Sequence, residues 1–263
     1  MKKIFLAGMA VGFLSLGAAE GSKDGLIVGV DWSLGRGVGG AEGTSALTED
    51  GKPDTNTEAR GFYNNKTLTS NLKLVLGFQR YSTQNSALGF NIKAKFGLVG
   101  VGVMDSMMTH FESAHGDIPI PQGAEKVTSL QIPFTLGLEG NFLYDFFESG
   151  AHALGLSVGL GFEVVHSRTL QANIRDKPSL SDVFAEAFAL NNMSYSLLSP
   201  KLGLHYFYGH HQFGIDMSFD KVLDRSFFGL QIETPIQNTI LEQALNTKLN
   251  YFYTLALNYA YRF

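Results

Sequence analysis

Cysteine is absent from all 263 residues, which excludes disulfides, thiol catalysis and Cys-based metal sites. Charge is scarce as well: Asp, Glu, Lys and Arg make up 17% of the chain, with a formal net charge of −4. A slightly acidic chain lacks the basic footprint that binding to phosphate backbones requires, so nucleic acid is not an expected partner. Long apolar runs are missing beyond the amino terminus, where no window approaches the ~18 uncharged apolar residues of a transmembrane helix. In their place the chain carries 30 Gly, 21 Phe and 10 Tyr. Aromatic- and glycine-rich alternation with few charges suits a sheet that has one face in lipid and the other crowded inside a barrel.

The amino terminus has its own pattern. Lys2 and Lys3 form a positive region, Ile4 to Leu16 an apolar one, and Gly17, Ala18 and Ala19 supply small residues for cleavage. This predicts a secretory signal peptide over 1–19, cut near Ala19-Glu20, with the barrel over 20–263. The apolar run is short for a membrane-spanning helix, which needs ~20 residues.

The last thirteen residues place Tyr251, Tyr253, Leu255, Leu257, Tyr259, Tyr261 and Phe263 on alternate positions. Phe252, Thr254, Ala256, Asn258, Ala260 and Arg262 lie between them. A period of two gives a strand with two unlike faces. Seven earlier segments alternate likewise, beginning near Leu26, Leu72, Leu88, Leu130, Leu154, Leu202 and Phe213. In each, the apolar face is almost free of charge while the opposite face holds the lysines and acids. That is the reverse of a secreted lipocalin-like barrel, whose apolar residues point inward.

The expected fold is therefore all-β: an eight-stranded antiparallel transmembrane barrel with long extracellular loops and short periplasmic turns. The connections 36–69, 104–127, 167–193 and 224–247 are long, and 82–86, 145–151 and 209–211 are short. Long and short alternate, so both termini and all short turns fall on one side. Phe228, Leu230 and Ile232, within Ser226 to Thr234, also alternate. They extend strand seven or build half of an extra hairpin, and ten strands is the alternative count.

An eight-stranded barrel has an interior just wide enough for side chains to fill. The inward set holds Asp31, Glu139, Glu163, Asp216 and Asp220 against Lys73, Lys93, Lys95, Lys201 and Arg262, with His205 beside them. Five acids and five bases predict an ionic plug, because buried charges survive only when paired. Trp32, Tyr206, Tyr208, Tyr259 and Tyr261 are expected at the membrane interfaces, where an amphipathic ring suits both phases. Trp32 is placed near the outer one.

Several residue strings resemble the Helicobacter-type outer membrane protein family. They are Phe142-Leu-Tyr-Asp-Phe-Phe147, Leu154-Gly-Leu-Ser-Val-Gly-Leu-Gly161, Pro200-Lys-Leu-Gly-Leu204 leading to His211-Gln-Phe-Gly-Ile-Asp216, and the ending Tyr253 to Phe263. Their order over Lys126 to Phe263 is more specific than any one of them. The resemblance implies an outer-membrane barrel of a family whose members act as adhesins or porins. It implies an assembly signal at Tyr259, Tyr261 and Phe263, read by the barrel-assembly machinery through strand addition. The chain departs from the family in Asn258, where Gly is common, and in lacking the loop cysteines and large outer domain of adhesin members.

The long loops should carry what is particular to this protein. Within Leu180 to Leu190, Leu180, Val183, Phe184, Ala187 and Phe188 share one face of a short helix, and Ile236, Ile240, Leu241 and Leu245 suggest another. Arg168 and Arg175 are candidates for lipopolysaccharide phosphates. His166 and Ser167 adjoin, but neighbours on a strand point to opposite faces, so a catalytic pair is not expected. His210-His211 supplies too few ligands for a metal. The reading is non-enzymatic, with no cofactor. Its partners are outer-membrane lipid and lipopolysaccharide, the assembly machinery, and a host or environmental ligand on the loops. A small porin or channel is the alternative.

Overall fold

The computed structural model describes residues 23–49, 52–53, 59–82, 87–113, 116–117, 126–174, 193–224, 232–236 and 239–263. The expected signal peptide (1–19) and the helix expected over Leu180 to Leu190 lie outside these residues, as do Phe228 and Leu230.

Eight long strands follow one another around a ring: β1 (Gly25–Glu49), β2 (Ala59–Tyr81), β3 (Leu88–Ser113), β4 (Lys126–Ser149), β5 (His152–Ile174), β6 (Met193–Tyr208), β7 (His211–Asp224) and β8 (Thr239–Arg262). Each pairs antiparallel with its sequence neighbour, and β8 pairs with β1 from Ile27↔Arg262 to Thr48↔Ile240, which closes the sheet. Where all eight strands run side by side the closed ring has no open edge, so the backbone polar groups there are satisfied between strands. Three short strands add to this ring without widening it: Lys52–Pro53 on β1, Gly116–Asp117 on β3, and Ile232–Ile236 on β8.

Strands run further than the alternation suggested. β1, β2, β3, β4, β5 and β8 have 23 to 26 residues each, where ~9–11 suffice to cross a bilayer. Most of 36–69 is thus a paired hairpin rather than loop, and the helix expected around Ile240, Leu241 and Leu245 is strand β8. The reason is local: once a ladder is paired, continuing it satisfies each N–H and C=O, whatever the side chains. β6 and β7 are described over 16 and 14 residues.

The opposite end has tight turns. β4–β5 and β6–β7 reverse over Gly150-Ala151 and Gly209-His210, and Gly150 and Gly209 have φ of 58° and 57°, where a side chain would be strained.

One irregularity explains a change of face. Phe96 faces Leu136 and Gly102 faces Gln131, so β3 spends one residue more than β4. Leu98 and Val99 are consecutively exposed there, and the outward positions shift from Ile92 and Phe96 to Val101 and Val103. Pro133, which has no N–H to donate, sits in β4 within this gap.

The outer surface is an apolar band. Val28, Val30, Leu34, Leu76, Ile92, Phe134, Leu138, Leu160, Leu204, Ile215, Leu255 and many others are exposed, while the intervening residues are buried. Among the described residues no helix is long and apolar enough to cross a membrane, which does not bear on strands. Such a band is the surface of a barrel whose solvent is hydrocarbon.

Candidate functional site

Inside the barrel, polarity changes along the axis. Nearest the turn end, Tyr81, Leu143, Ala153 and Phe207 form an apolar cluster. Asp145 lies beside it, accepting from the Tyr81 hydroxyl at 3.1 Å and pairing with His205 Nε2 at 2.6 Å and Lys23 Nζ at 2.5 Å. Above this comes a lysine–carboxylate layer, and above that a second apolar cluster of Met104, Val165, Tyr195, Leu197, Val222 and Phe252. The Tyr195 and Phe252 rings stack with centroids 5.6 Å apart.

Glu139, 3% exposed, is the hub of the middle layer. Lys95 Nζ reaches its carboxylate at 2.7 Å, Lys93 Nζ stands at 3.8 Å, and Lys201 Nζ donates to the same carboxylate. Asn141 Nδ2 also donates to it, at 2.8 Å. Lys95 joins this hub to Asp31 at 2.5 Å, and Lys73 donates to both oxygens of Glu163 at 2.7 and 2.9 Å. These residues meet because inward positions of neighbouring strands face one another: Lys93 is opposite Glu139 and Asp31 opposite Lys73 in register.

Two acids differ from this pattern. Asp216 accepts from Asn258 Nδ2 at 2.8 Å and from the Ser157 hydroxyl at 3.5 Å. Asp220 accepts from the Thr254 hydroxyl at 2.7 Å. Neither has an ion-pair partner among the described residues. Gly203 provides the room Asp216 occupies, since a Cβ there would collide with that carboxylate and with Ser157 Oγ.

Arg262 stands apart from the plug it was assigned to. It is buried at the turn end, with its guanidinium 5.4 Å from the Phe207 ring centroid and donating to the carbonyls of Lys23 and Gly209. Its position next to the end of β8 puts it beyond reach of the middle layer. The pairing is therefore four lysines against five carboxylates, rather than five of each.

Trp32 is also displaced from its expected place. It faces outward at 44% exposure but between Val30 and Leu34, opposite Leu72 and Leu257, so it lies within the apolar band rather than at its outer edge. Its indole N–H donates to Ser70 Oγ at 3.1 Å, which lets the ring sit at that depth. Tyr206, Tyr208 and Tyr259 face outward at the turn end. There His152 meets the Tyr206 hydroxyl at 2.6 Å and His211 the Tyr259 hydroxyl at 2.9 Å, while His210 stacks on Tyr261. Phe263 is exposed beside Tyr261, ring centroids 4.9 Å apart.

His166 and Ser167 point apart. His166 is on the outside, meeting Ser194 Oγ at 2.8 Å, and Ser167 is inside, donating to Gln131 at 3.1 Å. Sequence reasoning missed the apolar layers. Tyr195, Leu197 and Phe252 share the inward parity of charged residues, and the signal available was that parity. It also missed the Asp145–His205–Lys23 cluster, whose members are far apart in sequence.

No family model matches the chain, and no curated protein does. Among solved structures it is similar to the outer membrane protein OprG of Pseudomonas aeruginosa, at 14% identity and a TM-score of 0.34, covering 93% of this chain and 99% of that one. It is similar to Ail, the attachment invasion locus protein of Yersinia pestis, at 14% identity and a TM-score of 0.23, covering 89% and 99%. The outer membrane protease OmpT of Escherichia coli gives 8% identity and a TM-score of 0.31, covering 89% and 97%. Likenesses this distant carry no argument about function, and the architecture rests on the strand pairing itself.

Proposed function

We propose that this chain is an integral outer-membrane barrel of the Helicobacter-type family, acting as a closed, non-enzymatic scaffold for surface interaction. The observation that carries the reading is the interior: a salt-bridged layer held between two apolar layers. An ion crossing such a barrel would have to break buried pairs and shed its hydration against aromatic rings, each step unfavourable by several kcal/mol. The functional surface is then the strand-built wall that β8, β1 and β2 raise above the apolar band. A host or environmental ligand would bind there, and exposed Arg168 would meet lipopolysaccharide phosphate.

Export by a signal peptide cleaved near Ala19, and reading of Tyr259, Tyr261 and Phe263 by the barrel-assembly machinery, complete the proposal. Amino-terminal sequencing of the protein recovered from outer-membrane fractions tests the first. Single-channel recording of the refolded barrel tests the closed interior. Absence of discrete openings is expected, and large stable openings favour the second reading, a small porin.

A further inference from the structure

The middle layer holds five buried or nearly buried carboxylates, Asp31, Glu139, Glu163, Asp216 and Asp220, and four ammonium groups, Lys73, Lys93, Lys95 and Lys201. Arg262 is too far toward the turn end to complete the count. Between this layer and the upper apolar cluster lies a cavity of about 40 Å³, lined by Asp31, Thr135, Asp220 and Thr254 among others. Four of its lining oxygens are buried without a hydrogen-bond partner: Asp31 Oδ1, Asn71 Oδ1, Thr135 Oγ1 and Asp220 Oδ1. Asp31, Thr135 and Asp220 are 1%, 3% and 4% exposed. Leaving such acceptors unmatched costs about 1–3 kcal/mol each, and more for charged ones.

We propose that this cavity binds a monovalent alkali cation, sodium or potassium, beside Asp220. Such an ion supplies what the cavity lacks: one positive charge for the surplus carboxylate, and a centre that oxygen acceptors can face without donating. The volume admits the ion together with a water or two, since about 10–15 Å³ of such space holds one water. A divalent ion suits the site less, because it would reverse the surplus next to the ammonium groups of Lys73 and Lys95, which line the same cavity. Asp220 is the pivot because its only side-chain partner among the described residues is the Thr254 hydroxyl, whereas Asp31 already holds Lys95. The site is structural, so its test does not depend on whether the barrel conducts.

The full barrel is refolded in detergent micelles and unfolded in urea at constant chloride, with sodium, potassium or choline as the cation. Sodium or potassium should raise the midpoint over choline. Above the dissociation constant, the unfolding equilibrium constant should fall about tenfold per tenfold rise in that cation, the limit for one site present only in the folded state. Asp220→Asn should abolish the difference between the cations. Equal wild-type midpoints in all three salts overturn the site, even if stability then varies with pH as a protonated carboxylate would require. A cation effect of full size in Asp220→Asn overturns it too. Should that variant not fold, crystals of the wild-type barrel soaked in thallium(I) decide: an anomalous peak in the cavity beside Asp220 supports the site, and no peak there rejects it.

Discussion

Tyr195 and Phe252 stack 5.6 Å apart in the upper interior layer, while one layer nearer the turns Lys95 bridges Asp31 and Glu139 at 2.5 and 2.7 Å. Both layers are built from inward positions of the barrel strands, and the side chains of both are buried. They resist disruption for different reasons. Truncating an aromatic leaves a cavity whose cost follows its volume. Removing one member of the ionic layer leaves opposite charges buried without compensation, and those have no cheap way to relax. The two layers fill the barrel interior by independent physics, so losing one does not remove the other.

That comparison can be broken most forcefully at Glu139, which three lysines share. Glu139→Ala should destabilise the barrel by about 3–5 kcal/mol in a urea series of the folded protein. An unchanged midpoint would remove the idea that the layer is a coupled network. Phe252→Ala, in the apolar layer, should cost about 3 kcal/mol through its cavity, yet leave bilayer recordings silent because the ionic layer still stands. Steady conductance in that variant alone would show that the charged layer seals nothing. The Asp145 cluster at the turn end is a third kind of contact, part charged and part aromatic. His205→Gln should cost about 1.5–3 kcal/mol, the range for a hydrogen bond to a charged group. A smaller loss would mean that Lys23 and Tyr81 satisfy Asp145 unaided. The smallest effect belongs to the lipid-facing side, where acyl chains flow into any gap. Ile132→Val should cost about 0.8 kcal/mol, the transfer of one methylene with no cavity added. A cost several times larger would mean that Ile132 packs against protein rather than lipid.

Much of the fold was legible because lipid exposure is read one residue at a time. Leu255, Leu257 and Tyr259 must face outward whatever the neighbouring strands do, so the period of two survives in the sequence without tertiary help. The inner face is different. Lys73 and Lys93 share the parity of Tyr195 and Phe252 as inward residues, and nothing local says which layer each joins. Arg262 was misassigned for that reason, since its height along the axis depends on the stagger between strands. Trp32 shows the same limit on the outside: its parity was right, while its depth is set by the register with Leu72 and Leu257 and by the Ser70 hydroxyl.

By itself, then, the sequence determined which side of each strand meets hydrocarbon and where the tight turns lie, because these follow from alternation and turn chemistry over a few residues. Only the tertiary structure decided the closing of the ring at eight strands, the pairing of Glu139 with Lys93, Lys95 and Lys201, the two apolar layers around them, and the two carboxylates, Asp216 and Asp220, left without an ion pair among the described residues. Those depend on shear around the closed sheet, which sets the height at which residues from distant strands meet.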